Sequence, residues 1–97
     1  MRLRFLTPAR QEFLAAVRYY ERARSGLGSE FIDALEQALT EIGESPWSGS
    51  PFGQNLRRRV LRRFPFEVVY SVGEDEILVL AVAHQSRRPF YWRDRLD

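Results

Sequence analysis

The chain has 97 residues, the length of one domain, and at this size about two thirds of the unfolded surface can be buried, enough for one compact core. Hydrophobic residues make up 44% and aromatics 13%, cysteine is absent and histidine occurs once, which excludes disulfides, thiolate metal sites and histidine-rich clusters. All 15 basic residues are arginine, and residues 1–54 carry six of them against seven acids while residues 55–97 carry nine against six, so a net charge of −1 gives way to +3.

A basic second half suits phosphate or an acidic partner, although a solvated strand face has the same composition. No apolar run approaches the roughly 20 residues of a membrane span and no signal-peptide pattern opens the chain. The expectation is therefore a single domain over residues 1–97, cytoplasmic, without membrane, metal or cofactor.

Arg2-Leu3-Arg4-Phe5-Leu6 alternates polar and apolar and predicts a short strand. Thr7-Pro8 then supplies a helix start, hydroxyl as cap and proline at the first helical position. Ala9, Phe13, Ala16, Val17 and Tyr20 recur at helical spacing and form one apolar stripe. Gly26 and Gly28 break this helix. Ser29 is the expected cap of a second helix with Glu30 and Asp33 in its first turn, where acids complement the helix dipole. Its stripe runs Phe31, Leu35, Ala38, Leu39, Ile42 and ends near Gly43 and Pro46. These two helices read as an antiparallel hairpin.

Ser45 to Gly53 is a loop by composition. Beyond it the period changes from 3.6 to 2, and Leu56–Arg63, Phe66–Val72 and Glu76–His84 read as strands, the last two joined by the turn Gly73-Glu74-Asp75. Both faces of the last two strands are apolar, so helices cover one face and another element must shield the other. The order β-α-α-β-β-β, with a short C-terminal helix or arm over Arg88–Arg95, makes a two-layer α+β domain.

Two arginine clusters stand out. In the first, Arg57-Arg58-Arg59 with Arg62-Arg63, strand alternation would put Arg57, Arg59 and Arg63 on one face. Guanidinium groups so crowded invite an anion, because the fork bonds two oxygens at once. In the second, Arg87, Arg88, Arg93 and Arg95 are interleaved with Phe90, Tyr91 and Trp92, as in binders of single-stranded nucleic acid. Tyr91 and Trp92 would equally serve as the cover of the open sheet face. The candidate contact residues are thus Arg57, Arg59, Arg63, Arg87, Arg88, Tyr91, Trp92 and Arg93. His84 ends the last strand, on a face expected to hold Leu80 and Val82. It is the acid/base candidate, though a histidine so placed is more often a hydrogen-bonded structural residue. Glu67 is expected to pair with an arginine. The two clusters are expected to converge into one cationic surface.

The order of elements resembles the RelE/ParE toxin superfamily. So do Pro51-Phe52-Gly53, the arginine-rich strand, Phe64-Pro65-Phe66-Glu67-Val68-Val69-Tyr70, and Ala81-Val82-Ala83-His84 followed by Arg87, Tyr91 and Trp92. The resemblance spans essentially the whole chain and implies the toxin half of a type II toxin–antitoxin pair, with an antitoxin as partner. Two activities occur in the superfamily: poisoning of DNA gyrase by ParE-like members and cleavage of mRNA on the ribosome by RelE-like members. RelE-like ribonucleases usually carry arginine where this chain has Glu67 and Gln85, whereas the Pro-Phe-Tyr-Trp-Arg ending is similar to ParE-type and plasmid-stabilisation proteins. The resemblance therefore favours a growth-inhibiting gyrase binder that is not an enzyme. The alternative is a ribosome-dependent mRNA endonuclease in which His84, Arg59, Arg87 and Tyr91 are catalytic.

Overall fold

The computed structural model describes every residue except 52, 54 and 97, so Phe52 of the Pro51-Phe52-Gly53 motif lies outside the described residues. Strand β1 (Arg2–Phe5) leads into helix α1 (Thr7–Ala23) and helix α2 (Leu27–Glu44). A 3₁₀ turn at Pro46–Ser48 and a two-residue strand β2 (Ser50–Pro51) follow, within the stretch expected to be loop. Strands β3 (Leu56–Val60), β4 (Phe66–Val72) and β5 (Glu76–His84) form the expected antiparallel meander, and a 3₁₀ turn at Arg93–Leu96 ends the arm. The sheet order is β1-β5-β4-β3-β2, with β1 parallel to β5 and all other pairs antiparallel. The fold is α+β with a mixed sheet.

The core has two compartments. Phe31, Leu35, Ala38 and Ile42 of α2 with Ala9 and Ala16 of α1 meet Phe66, Val68, Tyr70, Val72, Ile77, Val79 and Val82 on the helix-covered face of the sheet. Ring-on-ring packing of Tyr20, Phe31, Phe64 and Phe66 at centroid distances of 4.9–6.1 Å closes the end of this compartment. On the other face Val69, Leu80, Ala81 and Ala83 are covered by Trp92, which is itself buried. The apolar character of both faces is thereby satisfied by the helical hairpin on one side and the C-terminal arm on the other.

Four local expectations are corrected. Helix α1 begins at Thr7 with extended Leu6 at the cap position and no side-chain cap, so Thr7 lies inside the first turn. Helix α2 begins at Leu27, two residues before Ser29, because Gly26 adopts a left-handed φ of 91° that only glycine takes without strain. Its free amides are met across the hairpin: the Glu21 carboxylate accepts from Gly26 N–H at 3.1 Å and Gly28 N–H at 3.0 Å. Strand β3 stops at Val60 rather than Arg63. Leu61 turns into the core and Arg63 takes a φ of 71°, so Arg62 and Arg63 sit in the connection to β4, not on a strand face. Finally, β5 carries a bulge: Val69 faces Ala81 while Tyr70 faces Val79, leaving Leu80 as the extra residue. The bulge turns Leu80 toward Trp92 and leaves Val82 on the helix side, so His84 shares its face with Val82 and not with Leu80.

Candidate target-binding site

Strand β1 reaches only as far as Val79 of β5. From Leu80 onward, the outer edge of β5 has no strand partner among the described residues, and its backbone groups need another source of hydrogen bonds. Glu12 of α1 and Arg95 of the arm supply them. Glu12 Oε1 accepts from Val82 N–H at 3.0 Å, and Arg95 Nη1 donates to Leu80 O at 3.0 Å. The two side chains are joined by paired hydrogen bonds of 2.9 Å, and the Tyr91 hydroxyl donates to Glu12 Oε2 at 2.7 Å. Arg95 and Glu12 are 19% and 16% exposed, so this ion pair is screened far less than a surface pair. The arm is therefore fastened at its far end to α1 and plugged under the sheet by Trp92.

Fastening fixes what the arm presents. The Tyr91 ring has the Arg87 guanidinium 3.8 Å and the Arg95 guanidinium 5.2 Å from its centroid. Burial, followed by the hydrogen bond to the Glu12 carboxylate, pushes the Tyr91 hydroxyl above its ordinary value of 10. His84 Nδ1 accepts from Ser86 N–H at 3.0 Å and lies 2.8 Å from Ser86 Oγ, which leaves the proton of a neutral ring on Nε2. Its ring meets Phe66 edge-to-face at 5.0 Å.

His84, Arg87 and Tyr91 border a cleft of about 360 Å³ between the end of the sheet and the arm, whose walls also include Arg58, Glu67, Gln85, Arg88 and Phe90. A second, more apolar groove lies beside α1. One part, of about 500 Å³, is formed by Ala16, Tyr19, Tyr20, Pro65, Phe66, His84 and Ser86. An adjoining part with Glu12, Ala15, Val82 and Arg87 shares Ala16, Phe66 and His84 with it.

The structure brings His84, Arg87, Arg88, Tyr91 and the buried Trp92 together; Arg93 lies on the outer side of the arm, 5.5 Å from the Phe90 ring centroid. The first arginine cluster divides. Arg57 and Arg59 pair across the sheet with Tyr70 and Val68, which belong to the helix-covered face. Arg57 stacks on Trp47 at 4.8 Å, while Arg59 bonds Glu41 at 3.3 Å and Ser48 Oγ at 2.6 Å. Arg63 is held by Glu30 at 2.6 Å, which keeps that carboxyl below its usual range. Convergence of Arg57, Arg59 and Arg63 with the arm does not occur, because strand alternation aims Arg57 and Arg59 at the α2 side. Arg58, of the opposite parity, is the strand arginine that reaches the arm cleft, with Glu67 3.8 Å away. Glu12 was not singled out from the sequence. Its signal was position: three residues after Ala9 and four before Ala16, it falls beside the buried stripe, where an acid requires a partner.

A family model described as the ParE toxin of type II toxin–antitoxin system, parDE, matches residues 3–89. Among solved structures, a chain from the chromosomal ParDE TA system from P. aeruginosa matches with a TM-score of 0.64 and 17% sequence identity, covering 87% of this chain and 95% of that one. No curated protein matches.

Proposed function

The chain belongs to the ParE toxin family of type II toxin–antitoxin systems, and we propose from that premise that it inhibits growth by binding DNA gyrase and is silenced by a cognate antitoxin. The observation that carries a binding role is the arm cleft: Arg87 and Arg88 face outward from a segment anchored at both ends. Such a surface meets a partner with little ordering cost. Two further placements favour binding over proton-transfer chemistry. The Tyr91 hydroxyl is committed to Glu12, and Arg59 is held at Glu41 on the helix side, so a set of His84, Arg59, Arg87 and Tyr91 does not line one cleft.

The groove beside α1 is the proposed seat of the antitoxin. Its Tyr19, Tyr20 and Phe66 rings offer pockets for apolar anchors, and Arg87 at its margin suits an acidic residue of the antitoxin segment. Purified toxin should block supercoiling of plasmid DNA by gyrase, or trap the cleaved DNA, and addition of the antitoxin should reverse the effect. Normal supercoiling at excess toxin removes the gyrase reading. Primer extension on translating ribosomes distinguishes the ribonuclease alternative, which requires cuts within A-site codons.

A further inference from the structure

We infer that the outer face of the helical hairpin is a dimerisation surface for a second copy of this chain, an assembly that goes beyond the functional reading above. Elsewhere on and around the hairpin, charged side chains are paired internally. Arg24 and Arg63 meet Glu30, Arg59 and Arg62 meet Glu41, and Glu21 is committed to the amides of α2. Six exposed charges are not. Among the described residues, no ion pair reaches Arg10, Arg18 and Arg22 of α1 or Asp33, Glu36 and Glu44 of α2. They are sorted by helix, cations on α1 and anions on α2. Sorting sets like charges side by side: Arg18 and Arg22 are four residues apart and Asp33 and Glu36 three, spacings at which equal charges repel on a helix surface. An opposing ridge of the other sign removes that repulsion, and the molecule itself carries one for each helix.

The two ladders also match in length. Counting outward from the connection at Gly26, Arg22, Arg18 and Arg10 stand at steps of four and then eight residues, and Asp33, Glu36 and Glu44 at steps of three and then eight. On an α-helix these steps are about 6 and 12 Å against about 4.5 and 12 Å. Because α1 and α2 run antiparallel, the direction of a two-fold axis between facing hairpins decides what meets. An axis perpendicular to the helices lays α1 on α1 of the second copy, cation on cation. An axis parallel to the helices lays α1 on α2 of the second copy and keeps every residue at its own height. Arg22 then comes opposite Asp33, Arg18 opposite Glu36 and Arg10 opposite Glu44, and the symmetry makes each contact twice. Leu14, 39% exposed and four residues from both Arg10 and Arg18, adds an apolar contact within the arginine ridge. A wholly acidic partner would suit α1 but be repelled by α2, whereas a face carrying both signs on adjacent helices is complemented by its own copy. Exposed ion pairs are individually weak and screened by salt, so the dimer is weak and salt-sensitive.

The test is sedimentation equilibrium of the purified chain without antitoxin. A reversible monomer–dimer equilibrium is expected at about 50 mM salt, with the dimer weakened at least about tenfold at about 0.5 M. Arg18→Glu/Arg22→Glu makes the hairpin face wholly acidic, and Asp33→Arg/Glu36→Arg makes it wholly basic. Each variant alone should be monomeric, and their equimolar mixture should dimerise as the unaltered chain does. A chain carrying all four substitutions, which exchanges the two signs, should dimerise again. The control Arg87→Glu/Arg88→Glu changes net charge equally but on the arm, and should leave the dimer intact; near-ultraviolet circular dichroism checks that each variant is folded. An unaltered chain that stays monomeric up to about 0.1 mM at low salt overturns the inference. So does a reversed variant that dimerises alone, a mixture that stays monomeric, or an equal loss in the arm control. The measurement contains no gyrase and no DNA, so its failure leaves the gyrase reading standing, and failure of the supercoiling test leaves this one standing.

Discussion

Glu12 accepts four hydrogen bonds, from Val82 N–H, from the Tyr91 hydroxyl and twice from Arg95. Replacing it by alanine strands a mostly buried guanidinium, a phenol and a strand-edge amide together. Glu12→Ala should therefore destabilise the fold by about 2–4 kcal/mol in urea unfolding, with Glu12→Gln losing less because an acceptor remains. Tyr91 provides an independent reading of the same network. Its hydroxyl is raised above 10 by burial and by the neighbouring carboxylate. In a spectrophotometric pH titration, Tyr91 should ionise above the ordinary phenol value of 10, and Tyr91→Phe should remove its share of that late absorbance change. The sign for stability follows: the folded state holds the proton more tightly, so this contribution is complete below pH 10 and is lost as pH rises toward the folded-state value. Only part of this was legible in the sequence. An acid bordering an apolar stripe announces a buried partner, but nothing in the sequence states that the partner lies 83 residues away.

The helical hairpin was readable because its stripes are long and regular, with Phe31, Leu35, Ala38 and Ile42 all falling on the core side of α2. Its cap was misplaced by three residues, Ser29 against Gly26, because a local cap at Ser29 looked sufficient, whereas Glu21 meets the free amides from the preceding helix. Glu21→Ala should cost about 1 kcal/mol and raise hydrogen exchange at Gly26 and Gly28 above that elsewhere in α2. Gly49 carries a second element-level prediction. A Cβ there would collide with the Tyr70 hydroxyl and come within 3.0 Å of Arg58 O, while that hydroxyl donates to Pro46 O at 2.8 Å. Gly49→Ala should thus loosen the 3₁₀ turn and lower stability by about 1–3 kcal/mol in thermal unfolding. Strands β4 and β5 were legible to their ends; β3 was not, since the run of arginines continues past the point where Leu61 turns inward.

At the scale of the molecule, ion pairs stitch the layers: Arg59 and Arg62 to Glu41 join β3 and its turn to α2, Arg63 to Glu30 joins the same turn to the start of α2, and Arg4 to Glu76 joins β1 to β5. Hydrogen bonds from Arg63 and from Arg4 hold Glu30 and Glu76 below the usual carboxyl value of 4.5. Both are solvated, so each contributes little, but the direction is defined. Their stabilisation is complete above pH 4.5 and is lost as pH falls through the lower folded-state values, so urea midpoints should fall between neutral pH and about pH 3. Arg63→Ala should reduce that acid sensitivity. The sequence by itself determined the element order, the helical hairpin, the apolar sheet with two faces to cover and the basic ending, because periodicity and composition act locally. Tertiary structure alone decided which arginines meet. Strand parity and the early end of β3 turned Arg57, Arg59 and Arg63 toward α2 and left Arg58 beside the arm, and the short β1 left an edge that Glu12 and Arg95 close. Those outcomes depend on pairing register and on contacts between residues far apart in the chain, which no local pattern encodes.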